Sequence, residues 1–517
     1  MKLKQLLCGF RYVTVQGNAE DTDVKAICID TRDMIYGSVF VCIEGTHNDS
    51  HTMAEQAVYR GASAIVCEKD INVTKGVTVI KVKNTREALA YMAASFYRKP
   101  ANNMIMIGVT GTKGKTTTTY MIEKILNSAG INTGLIGSIE IKYNGITKTN
   151  SNTTPEPLAL WETLSDMKEN GVKAVVMEVS SQGLKMERVS GIVFDYAIFT
   201  NLSRDHIGEF EHADMDEYRA CKTRLFGMCR HGIFNKDDDN TIKIINDSGI
   251  KSISLYGVGN TDKTAFETKL FAYADRINIS LSNGEPGIMF DAHLSDKDGP
   301  DNEQMFVLPL PGIFSVYNSL AAVTVCDIIL REHDVTDRLK LMSEALHDIS
   351  VKGRLEVISS DKGFMVVIDY AHNELSLREL LMAMRQYVRG KLITVFGCGG
   401  NRSRERRYKM GEAAAEMSDF TVITSDNPRY EKPDDIMNDI KQGMLNVFKE
   451  DRENDERYVM IQDREKAVRY ALSCAEAGDV VIVAGKGHET YQEIMGIRHY
   501  MKDSDIVNHY LYGGYNG

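Results

Sequence analysis

The chain has 517 residues, more than one hydrophobic core supports, and this length predicts three or four domains. Hydrophobic residues make up 43% of the chain and charged residues 26%, which is typical of a globular protein and requires no long disordered or fibrous segment. The net charge of −11 argues against a general nucleic-acid binder, because such proteins usually present a basic face. The negative net charge does not argue against binding of small anionic ligands, because individual loops of an acidic protein can be basic.

The cysteines and apolar runs indicate the compartment. Nine cysteines are scattered without a Cys-x-x-Cys pair or a metal-type spacing, which is typical of reduced thiols in a cytosolic enzyme. Charges interrupt every apolar run in residues 1–15, so we expect no signal peptide. No apolar stretch reaches about 18 residues by our count, and we therefore expect no membrane span. These patterns predict a soluble, cytoplasmic protein.

Residues 1–100 predict a small α/β domain, in which short apolar runs alternate with helical patterns. The predicted strands are 26–29, 38–43, 64–67 and 77–82, and the predicted helices are 53–59 and 86–96.

The segment 104–117, MIMIGVTGTKGKTT, carries the most informative pattern of the chain. An apolar run of strand length enters a glycine–threonine loop, and a helical pattern follows as far as Gly130. Such a loop turns backbone N–H groups toward phosphate oxygens at a helix N-terminus. Lys115 reaches the outer phosphates, and the hydroxyl of Thr116 is placed to bind Mg²⁺. The strict spacing has glycine where this chain has Val109, so the loop is a variant that we expect to bind a nucleoside triphosphate.

Residues 101–351 predict a larger α/β domain around this loop. Near-continuous apolar runs at 173–179 and 193–199 are typical of parallel strands covered on both faces. Residues 251–310 change to a period of two with Gly, Asn and Asp at the turns, which predicts an antiparallel β addition.

Polar side chains follow the two buried strands. Glu178 ends the first, where it would be a second oxygen ligand for the Mg²⁺ held by Thr116, or else a helix cap. His206 follows the second, and its place at another strand end favours function over the structural role that a lone histidine usually has. Lys222 lies sixteen residues later, and its pattern alone predicts a surface lysine on a helix.

Residues 352–517 again alternate strands and helices, and four apolar runs each continue into a polar loop. Ligands of open parallel sheets bind beyond the carboxyl ends of strands, so we expect a site among these loops. Asp369 ends the first strand and is suited to accept hydrogen bonds from ribose hydroxyls. The other loops carry Arg402, Asn427, Arg429 and Glu489, in which arginines suit carboxylates and glutamate suits an ammonium group. Together they suggest an amino-acid site. The predicted strands are 365–368, 392–396, 420–424 and 480–484.

Taken together, these motifs resemble those of the Mur ligase family, the ATP-dependent peptide synthetases of cell-wall precursor assembly. The resemblance covers nearly the whole chain in three-domain order. The matching motifs are GTKGKT at 111–116, NTTP at 152–155, EVSS at 178–181, NLSRDH at 201–206, GIFSVYN at 312–318, GRLE at 353–356, DYAH at 369–372, DNPR at 426–429 and GKGHE at 485–489.

The resemblance implies an α/β fold of three domains. These are a small domain at 1–100 for a UDP-linked precursor, a central P-loop ATPase-like domain at 101–351, and a Rossmann-like domain at 352–517 for an amino acid. The implied reaction is ATP-dependent addition of meso-diaminopimelate to UDP-N-acetylmuramoyl-L-alanyl-D-glutamate through an acyl phosphate, with two Mg²⁺ ions. Diaminopimelate is favoured over lysine because relatives that add it carry the motif matched at 426–429. The alternatives are a lysine-adding ligase, a folate or cyanophycin-type ligase, and a nucleotide-dependent switch ATPase.

The resemblance also assigns roles to individual residues, and it implies a cytoplasmic monomer without a nucleic-acid or membrane partner. It implies that Lys222, as a CO₂-derived carbamate, holds metal with Thr116, Glu178 and His206. The ATP contacts are Thr110, Gly111, Thr112, Lys113, Gly114, Lys115, Thr116, Thr117, Asn201, Asn318, Arg354 and Asp369. The UDP-muramoyl-dipeptide contacts are Thr31, Arg32, Asn152, Thr153, Thr154, Ser180 and Arg188. The amino-acid contacts are Arg402, Asp426, Asn427, Arg429, Gly485 and Glu489.

Several positions depart from the usual family pattern. They bear on substrate recognition and leave the phosphate and metal positions intact. The departures are Met186, Lys352, Asn373, Glu374 and the segment 403–407.

Overall fold

The computed structural model describes residues 1–45, 48–150, 152–208, 211–259, 270–282, 285–296, 302–448 and 456–513. The chain divides into two compact units. The first comprises Met1–Tyr273, Leu294–Asp301 and Leu320–Arg338, and the second comprises Ala274–His293, Asn302–Ser319 and Leu339–Gly517.

The N-terminal region forms a five-stranded sheet in the order β1-β5-β4-β3-β2. Strand β1 pairs antiparallel with β5, and the other pairs are parallel. Alternate residues of β3 belong to two different apolar clusters. Val39 and Val41 pack in one cluster and Phe40 packs in the other, so this strand is buried on both faces. The elements are α1 (Leu3–Leu6), β1 (Val13–Gln16), β2 (Ala26–Cys28), β3 (Ser38–Val41), α2 (Ala54–Tyr59), β4 (Ala62–Cys67), β5 (Thr78–Lys81) and α3 (Thr85–Phe96).

A larger, mainly parallel sheet follows. The elements are β6 (Ile105–Thr110), α4 (Lys115–Ser128), β7 (Thr133–Ile136), β8 (Glu140–Tyr143), β9 (Ile146–Thr149), α5 (Pro157–Glu169), β10 (Ala174–Glu178), α6 (Ser181–Lys185), β11 (Phe194–Phe199), α7 (Met215–Thr223), β12 (Cys229–Asn235), α8 (Thr241–Ser248) and β13 (Ile253–Val258). Six strands run parallel in the order β13-β12-β11-β6-β10-β7. Strand β6 therefore lies between β10 and β11, at the switch point where ligands of open α/β sheets bind.

Two features of this sheet differ from the sequence prediction. Strand β13 falls within 251–310 but pairs parallel with β12, so the β addition begins later, at Leu270. An antiparallel hairpin, β8–β9, was not predicted. Its signal was present, because Asn144 and Gly145 both have positive φ, as a two-residue hairpin turn requires.

Three long strands then follow as hydrogen-bonded neighbours: β14 (Leu270–Ser282), β15 (Glu285–Asp296) and β16 (Asn302–Leu308). The short connections between them leave no room for the crossover that parallel pairing needs, so they form the antiparallel addition that the alternation predicts.

Six of the remaining strands build a sheet in the order β17-β18-β22-β19-β20-β21, with β17 antiparallel to β18 and the other pairs parallel. Strands β23 and β24 form a separate antiparallel pair. The loops after β18, β22, β19 and β20 therefore lie side by side, as predicted. The elements are α9 (Ile313–Glu332), α10 (Arg338–Leu346), β17 (Glu356–Ser359), β18 (Met365–Asp369), α11 (Glu374–Arg385), β19 (Leu392–Phe396), α12 (Arg404–Met417), β20 (Phe420–Ile423), α13 (Pro433–Phe448), β21 (Tyr458–Met460), α14 (Arg464–Cys474), β22 (Val480–Ala484), β23 (Tyr491–Ile494), β24 (Ile497–Tyr500) and α15 (Asp503–Tyr512).

The three larger sheets confirm the α/β class, whereas the boundaries at 100/101 and 351/352 stay predictions. Helix α9 is long and apolar enough to cross a membrane, so the expectation that no stretch has that length is wrong. Of its most apolar 18-residue window, 78% is buried, which is typical of a core helix.

Candidate active site

The phosphate loop joins β6 to α4 and depends on two glycines. Gly111 has φ +150°, and a Cβ there would lie 1.9 Å from Thr200 Oγ1. Gly114 caps helix α4 with φ +82°. Both positions need a backbone that side chains disfavour, and Gly111 also needs the space. The loop conformation therefore follows from the glycine spacing.

Residues at the end of β11 hold this loop. The amide of Asn201 accepts the N–H of Lys113 at its Oδ1 (3.0 Å), and the Asn201 carbonyl accepts the N–H of Thr112 (2.8 Å). The hydroxyl of Thr200 donates to the Lys113 carbonyl (2.6 Å). Asn201, a predicted ATP contact, thus lies directly against the loop.

Lys115 is the first residue of α4 and is half-buried. Its Nζ donates to the carbonyls of Gly111 (2.9 Å) and Thr112 (3.0 Å). The ammonium group therefore lies over the loop that would receive phosphate.

Glu178 ends β10 and is buried beside the loop. Its Oε1 accepts the hydroxyl of Thr116 (3.1 Å) and the N–H of Ser138 (2.7 Å), and its Oε2 accepts the Ser138 hydroxyl (3.0 Å). The predicted pairing of Thr116 with Glu178 is thus present. Ser138 was not predicted, because it follows the short strand β7 in a polar segment without a motif. The Thr153 hydroxyl lies 3.0 Å from Ser138 Oγ.

His206 lies on the other side of the loop from Glu178, because β6 separates β10 from β11. The strand ends that carry Glu178 and His206 are therefore separated by the end of β6, which continues into the loop. The His206 side chain is 46% exposed, has φ +55° and approaches Glu211 Oε1 from Nδ1 (3.2 Å). Its ring is 6.0 Å from the ring of Tyr218.

Lys222 is only 1% exposed, so the surface position predicted from its pattern is wrong. Its Nζ donates to the Gly111 carbonyl (2.8 Å) and lies over the Tyr218 ring, 4.4 Å from the centroid. Burial lowers the pKa of Lys222 well below its usual value, and the charge of Lys115 lowers it further. The charge of Asp205 opposes this shift. The amine therefore loses its proton more readily than an ordinary lysine.

A connected group of predicted substrate residues adjoins Glu178. Thr154 Oγ1 donates to the Glu178 carbonyl (3.0 Å) and accepts the Ser180 N–H (3.0 Å). Arg188 donates to the Thr154 carbonyl (3.1 Å) and pairs with Glu156 (2.6 Å).

Thr31 and Arg32, two other predicted contacts for the UDP-linked substrate, lie in the N-terminal region. Thr31 is buried and donates to Gln56 Oε1 (3.4 Å), whereas Arg32 is exposed and pairs with Asp30 (2.5 Å). Asn152 is half-buried.

The second unit carries the remaining predicted residues. Asp369 accepts the N–H groups of Leu355 (2.9 Å) and Ala371 (2.8 Å), and Arg354 stacks over the Tyr370 ring at 4.4 Å. Asn318 is buried in α9.

In the same unit, Asn427 and Glu489 form one polar cluster around a residue that was not predicted. Asn427 Nδ2 donates to Glu489 Oε2 (2.9 Å). The fully buried Lys486 donates to Asn427 Oδ1 (3.0 Å) and to Glu489 Oε2 (2.9 Å). Lys486 was within reach of sequence analysis, since it lies inside the GKGHE motif.

Arg429 has φ +53° and donates from Nη1 to the Gly400 carbonyl (2.7 Å). Its backbone pairs with the unpredicted hairpin β23–β24, through the carbonyl of Glu493 (3.0 Å) and the N–H of Met495 (2.7 Å). Arg402, by contrast, is exposed. The hairpin thus fixes the position of one of the two predicted arginines.

Gly485 lies against Asp426, because a Cβ on Gly485 would be 2.7 Å from Asp426 Oδ2. That oxygen is buried and has no hydrogen-bond partner among the described residues.

Comparison with known proteins settles the family. Three family descriptions match in chain order: "Mur ligase family, catalytic domain" at 23–97, "Mur ligase middle domain" at 109–326 and "Mur ligase, glutamate ligase domain" at 353–487. The chain is 39% identical to the UDP-N-acetylmuramoyl-L-alanyl-D-glutamate--2,6-diaminopimelate ligase of Caldanaerobacter subterraneus, over 96% of this chain and 95% of that protein. The chain belongs to the Mur ligase family.

Two further relatives agree. The Clostridium perfringens protein with the same name is 36% identical over 99% of this chain and 100% of its own length. A solved structure of a UDP-N-acetylmuramoyl-L-alanyl-D-glutamate--2,6-diaminopimelate ligase matches with a TM-score of 0.66 at 27% identity, covering 99% of this chain and 98% of that one.

The structure explains three departures of this Mur ligase from the usual motifs. Val109 is a fully buried residue of β6 whose carbonyl accepts the Val179 N–H (2.8 Å). Asn373 caps α11 by accepting the Ser376 N–H (2.9 Å). Arg407, in the unusual segment 403–407, is buried, and its Nη1 pairs with Oδ2 of Asp439 (3.0 Å). Nothing in the structure explains Met186 or Lys352.

Proposed function

We propose that this protein is an ATP-dependent acid–amino-acid ligase of peptidoglycan precursor synthesis. It joins meso-diaminopimelate to UDP-N-acetylmuramoyl-L-alanyl-D-glutamate and releases ADP and phosphate. The arrangement that supports this most directly is the phosphate loop. There Lys115 and Lys222 donate to the Gly111 carbonyl, and the Thr116 hydroxyl donates to the buried carboxylate of Glu178. The full-length relatives bear the name of the same reaction.

The first step is phosphoryl transfer. The terminal carboxylate of the UDP-linked acceptor attacks the γ-phosphorus of ATP, the bond to the β-phosphate oxygen breaks, and an acyl phosphate forms. Lys115 neutralises charge on the outer phosphates, and the loop amides cradle them. Positioning and charge neutralisation supply most of the catalysis in such transfers. The amine of the amino acid then attacks the acyl carbon and expels phosphate, which leaves an amide.

The residues beside the loop fit Mg²⁺. Thr116 offers a hydroxyl and Glu178 a carboxylate 3.1 Å from it, and hard cations prefer such oxygen ligands. His206 and Lys222 complete the proposed set for two ions. Bound Mg²⁺ would supply further neutralisation of phosphate charge.

Lys222 fits the proposed carbamate. Its lowered pKa increases the fraction of neutral amine, the form that adds to CO₂. The neutral nitrogen forms a bond to the carbon of CO₂, one C–O π bond opens and one proton leaves the nitrogen, so a neutral amine becomes an anion. Counted from the ammonium form, two protons leave. That anion suits a hard cation better than the ammonium group does.

The loops of the second unit suit a zwitterionic amino acid. Arg429 and Arg402 would pair with carboxylates, and Glu489 and Asn427 would receive an ammonium group. Diaminopimelate carries a carboxylate beside its second amine, and lysine lacks it, so an arginine in this place favours diaminopimelate.

The remaining assignments complete the proposal. Residues 1–100, with Thr31 and Arg32, bind the uridine-diphosphate end, residues 101–351 bind ATP, and residues 352–517 bind the amino acid. Thr153, Thr154, Ser180 and Arg188 hold the muramoyl peptide. The protein acts as a cytoplasmic monomer, and its product supports cell-wall growth, cell shape and division.

An amino-acid panel tests the proposal. Purified protein is incubated with ATP, Mg²⁺, the UDP-muramoyl dipeptide and one amino acid at a time, and products are identified by mass. We expect a product with meso-diaminopimelate and little with L-lysine. A preference for lysine would contradict the proposed amino-acid specificity, but the assignment as a ligase would still hold. ATP hydrolysis without any amide product would favour a switch ATPase instead.

A further inference from the structure

Helix α7 and the turn before it bring together three side chains that commonly bind transition metals. They are His212, Glu217 and Cys221, and one potential ligand atom from each lies within 4.8 Å of the others. Glu217 and Cys221 are four residues apart on α7, so they share one face of the helix.

The histidine supplies an independent sign of a missing ligand. His212 is 1% exposed, and its Nδ1 has no hydrogen-bond partner among the described residues, although it lies 3.9 Å from Glu217 Oε2. Its Nε2 is 2.9 Å from the hydroxyl of Ser181. A proton on Nε2, donated to Ser181, leaves Nδ1 with the lone pair that a metal needs.

The other two side chains are also available as ligands. Lys185 holds Glu217 at Oε1 (2.7 Å), so a metal at Oε2 would not displace this ion pair. The N–H of Ala213 donates to Oε2 (2.7 Å), which still leaves that oxygen a lone pair. Cys221 is 7% exposed, and its thiol would release a proton on binding metal.

We propose that His212, Glu217 and Cys221 bind one zinc ion, with water as the fourth ligand. Nitrogen, oxygen and sulfur ligands with one open position are typical of zinc, whereas Mg²⁺ takes oxygen ligands. This site is distinct from the Thr116–Glu178 pair, and the proposal does not depend on the reaction proposed above. The ion would tie the segment at His212 to helix α7.

Cobalt provides a direct probe of the site. Co²⁺ is titrated into metal-stripped full-length protein, and near-ultraviolet thiolate-to-cobalt absorption is recorded with the visible bands of tetrahedral cobalt. We expect saturation at one ion per chain and displacement by zinc. Cys221→Ser should remove the thiolate band and weaken zinc binding by at least about tenfold. Glu217→Gln should weaken binding and keep the band. Cys8→Ser, at an exposed cysteine, is the matched control.

Three results would overturn the zinc site: no saturable band, a band that survives in Cys221→Ser, or a band lost in Cys8→Ser, which would mean adventitious binding at the exposed thiol. Circular dichroism checks folding of each variant. If Cys221→Ser does not fold, Glu217→Gln carries the test, since Glu217 is half-exposed, and an unchanged zinc affinity in that variant would equally contradict the site.

Discussion

Two fully buried lysines are used differently in two regions of this chain. Lys222 donates to the backbone carbonyl of Gly111 (2.8 Å), an acceptor with a partial charge. Lys486 donates to the carboxylate of Glu489 (2.9 Å), which carries a full charge. Burial therefore disfavours the charged form of Lys222 and lowers its pKa, whereas Lys486 completes an ion pair. The first lysine suits chemistry at its own amine, and the second suits holding a carboxylate in place.

The largest expected effect on catalysis comes from removing the charge of Lys115, which acts on Lys222. Lys115→Ala should lower kcat for ligation by about 10²–10³-fold, because it removes a cation from the phosphates during transfer. Its folding should be unaffected, since the side chain is only half-buried. Ligation assays measure kcat, and thermal melts check folding. Lys168→Ala, at an exposed lysine, is the control variant. A well-folded variant that ligates at the wild-type rate would show that the loop assignment is wrong.

Next in size is the effect at Lys222 itself. Lys222→Ala should lose activity by about 100-fold, since the proposed carbamate would no longer help to hold metal. Added short carboxylic acids should restore part of the activity by supplying the missing anion. Rates measured with and without such acids check this. Full activity in the variant without any added acid would contradict the carbamate.

A smaller effect is expected in the amino-acid loops. Arg429→Ala should reduce the preference for diaminopimelate over lysine by about 10–100-fold, the value of a charged hydrogen bond of roughly 1.5–3 kcal/mol. The ratio of kcat/KM for the two amino acids measures it. Arg498→Ala, at an exposed arginine of the neighbouring hairpin, is the control. Equal losses for both substrates would mean that Arg429 supports the loop without selecting the far carboxylate.

The smallest expected effects are on thermal stability, and they distinguish Lys222 from Lys486. Lys486→Met leaves the Glu489 carboxylate without its ammonium partner and should cost about 1–3 kcal/mol, seen as a lower Tm. Lys222→Met removes a buried amine whose charged form is disfavoured, so its Tm at neutral pH should equal or exceed that of the wild type. Thermal melts in CO₂-free buffer measure both. Similar Tm losses in the two variants would contradict the distinction between the lysines.

The pH dependence sharpens the Lys222 result. The pKa of Lys222 is lower in the folded chain than its ordinary value of 10.5, so the unfolded chain binds more protons between these values. Wild-type stability therefore falls as pH decreases from 10.5 to the lowered pKa. The Tm advantage of Lys222→Met should grow over that interval and level off below it. An advantage that shrinks as pH falls would contradict the shift.

The sequence predicted well where a local pattern determines geometry. The glycines of the phosphate loop and the polar residues at the ends of parallel strands are such cases, because parallel strands bring their carboxyl ends to one edge. The burial of Lys222 was not predictable from α7, since that helix is polar and its environment comes from the loop after β6. Lys486 was within reach because it lies inside the GKGHE motif, but its contact with Asn427, which follows another strand, was not. The β8–β9 hairpin was missed although its Asn-Gly turn was visible.

A competition assay tests the central claim most directly. The protein is given ATP, Mg²⁺ and the UDP-muramoyl dipeptide with equal concentrations of meso-diaminopimelate and L-lysine, and phosphate release is followed together with product mass. Parallel reactions leave out the dipeptide, the amino acids, or both. The account predicts phosphate release only when acceptor and amine are both present, and a product that carries diaminopimelate. Phosphate release that needs neither substrate, with no amide product, would contradict it.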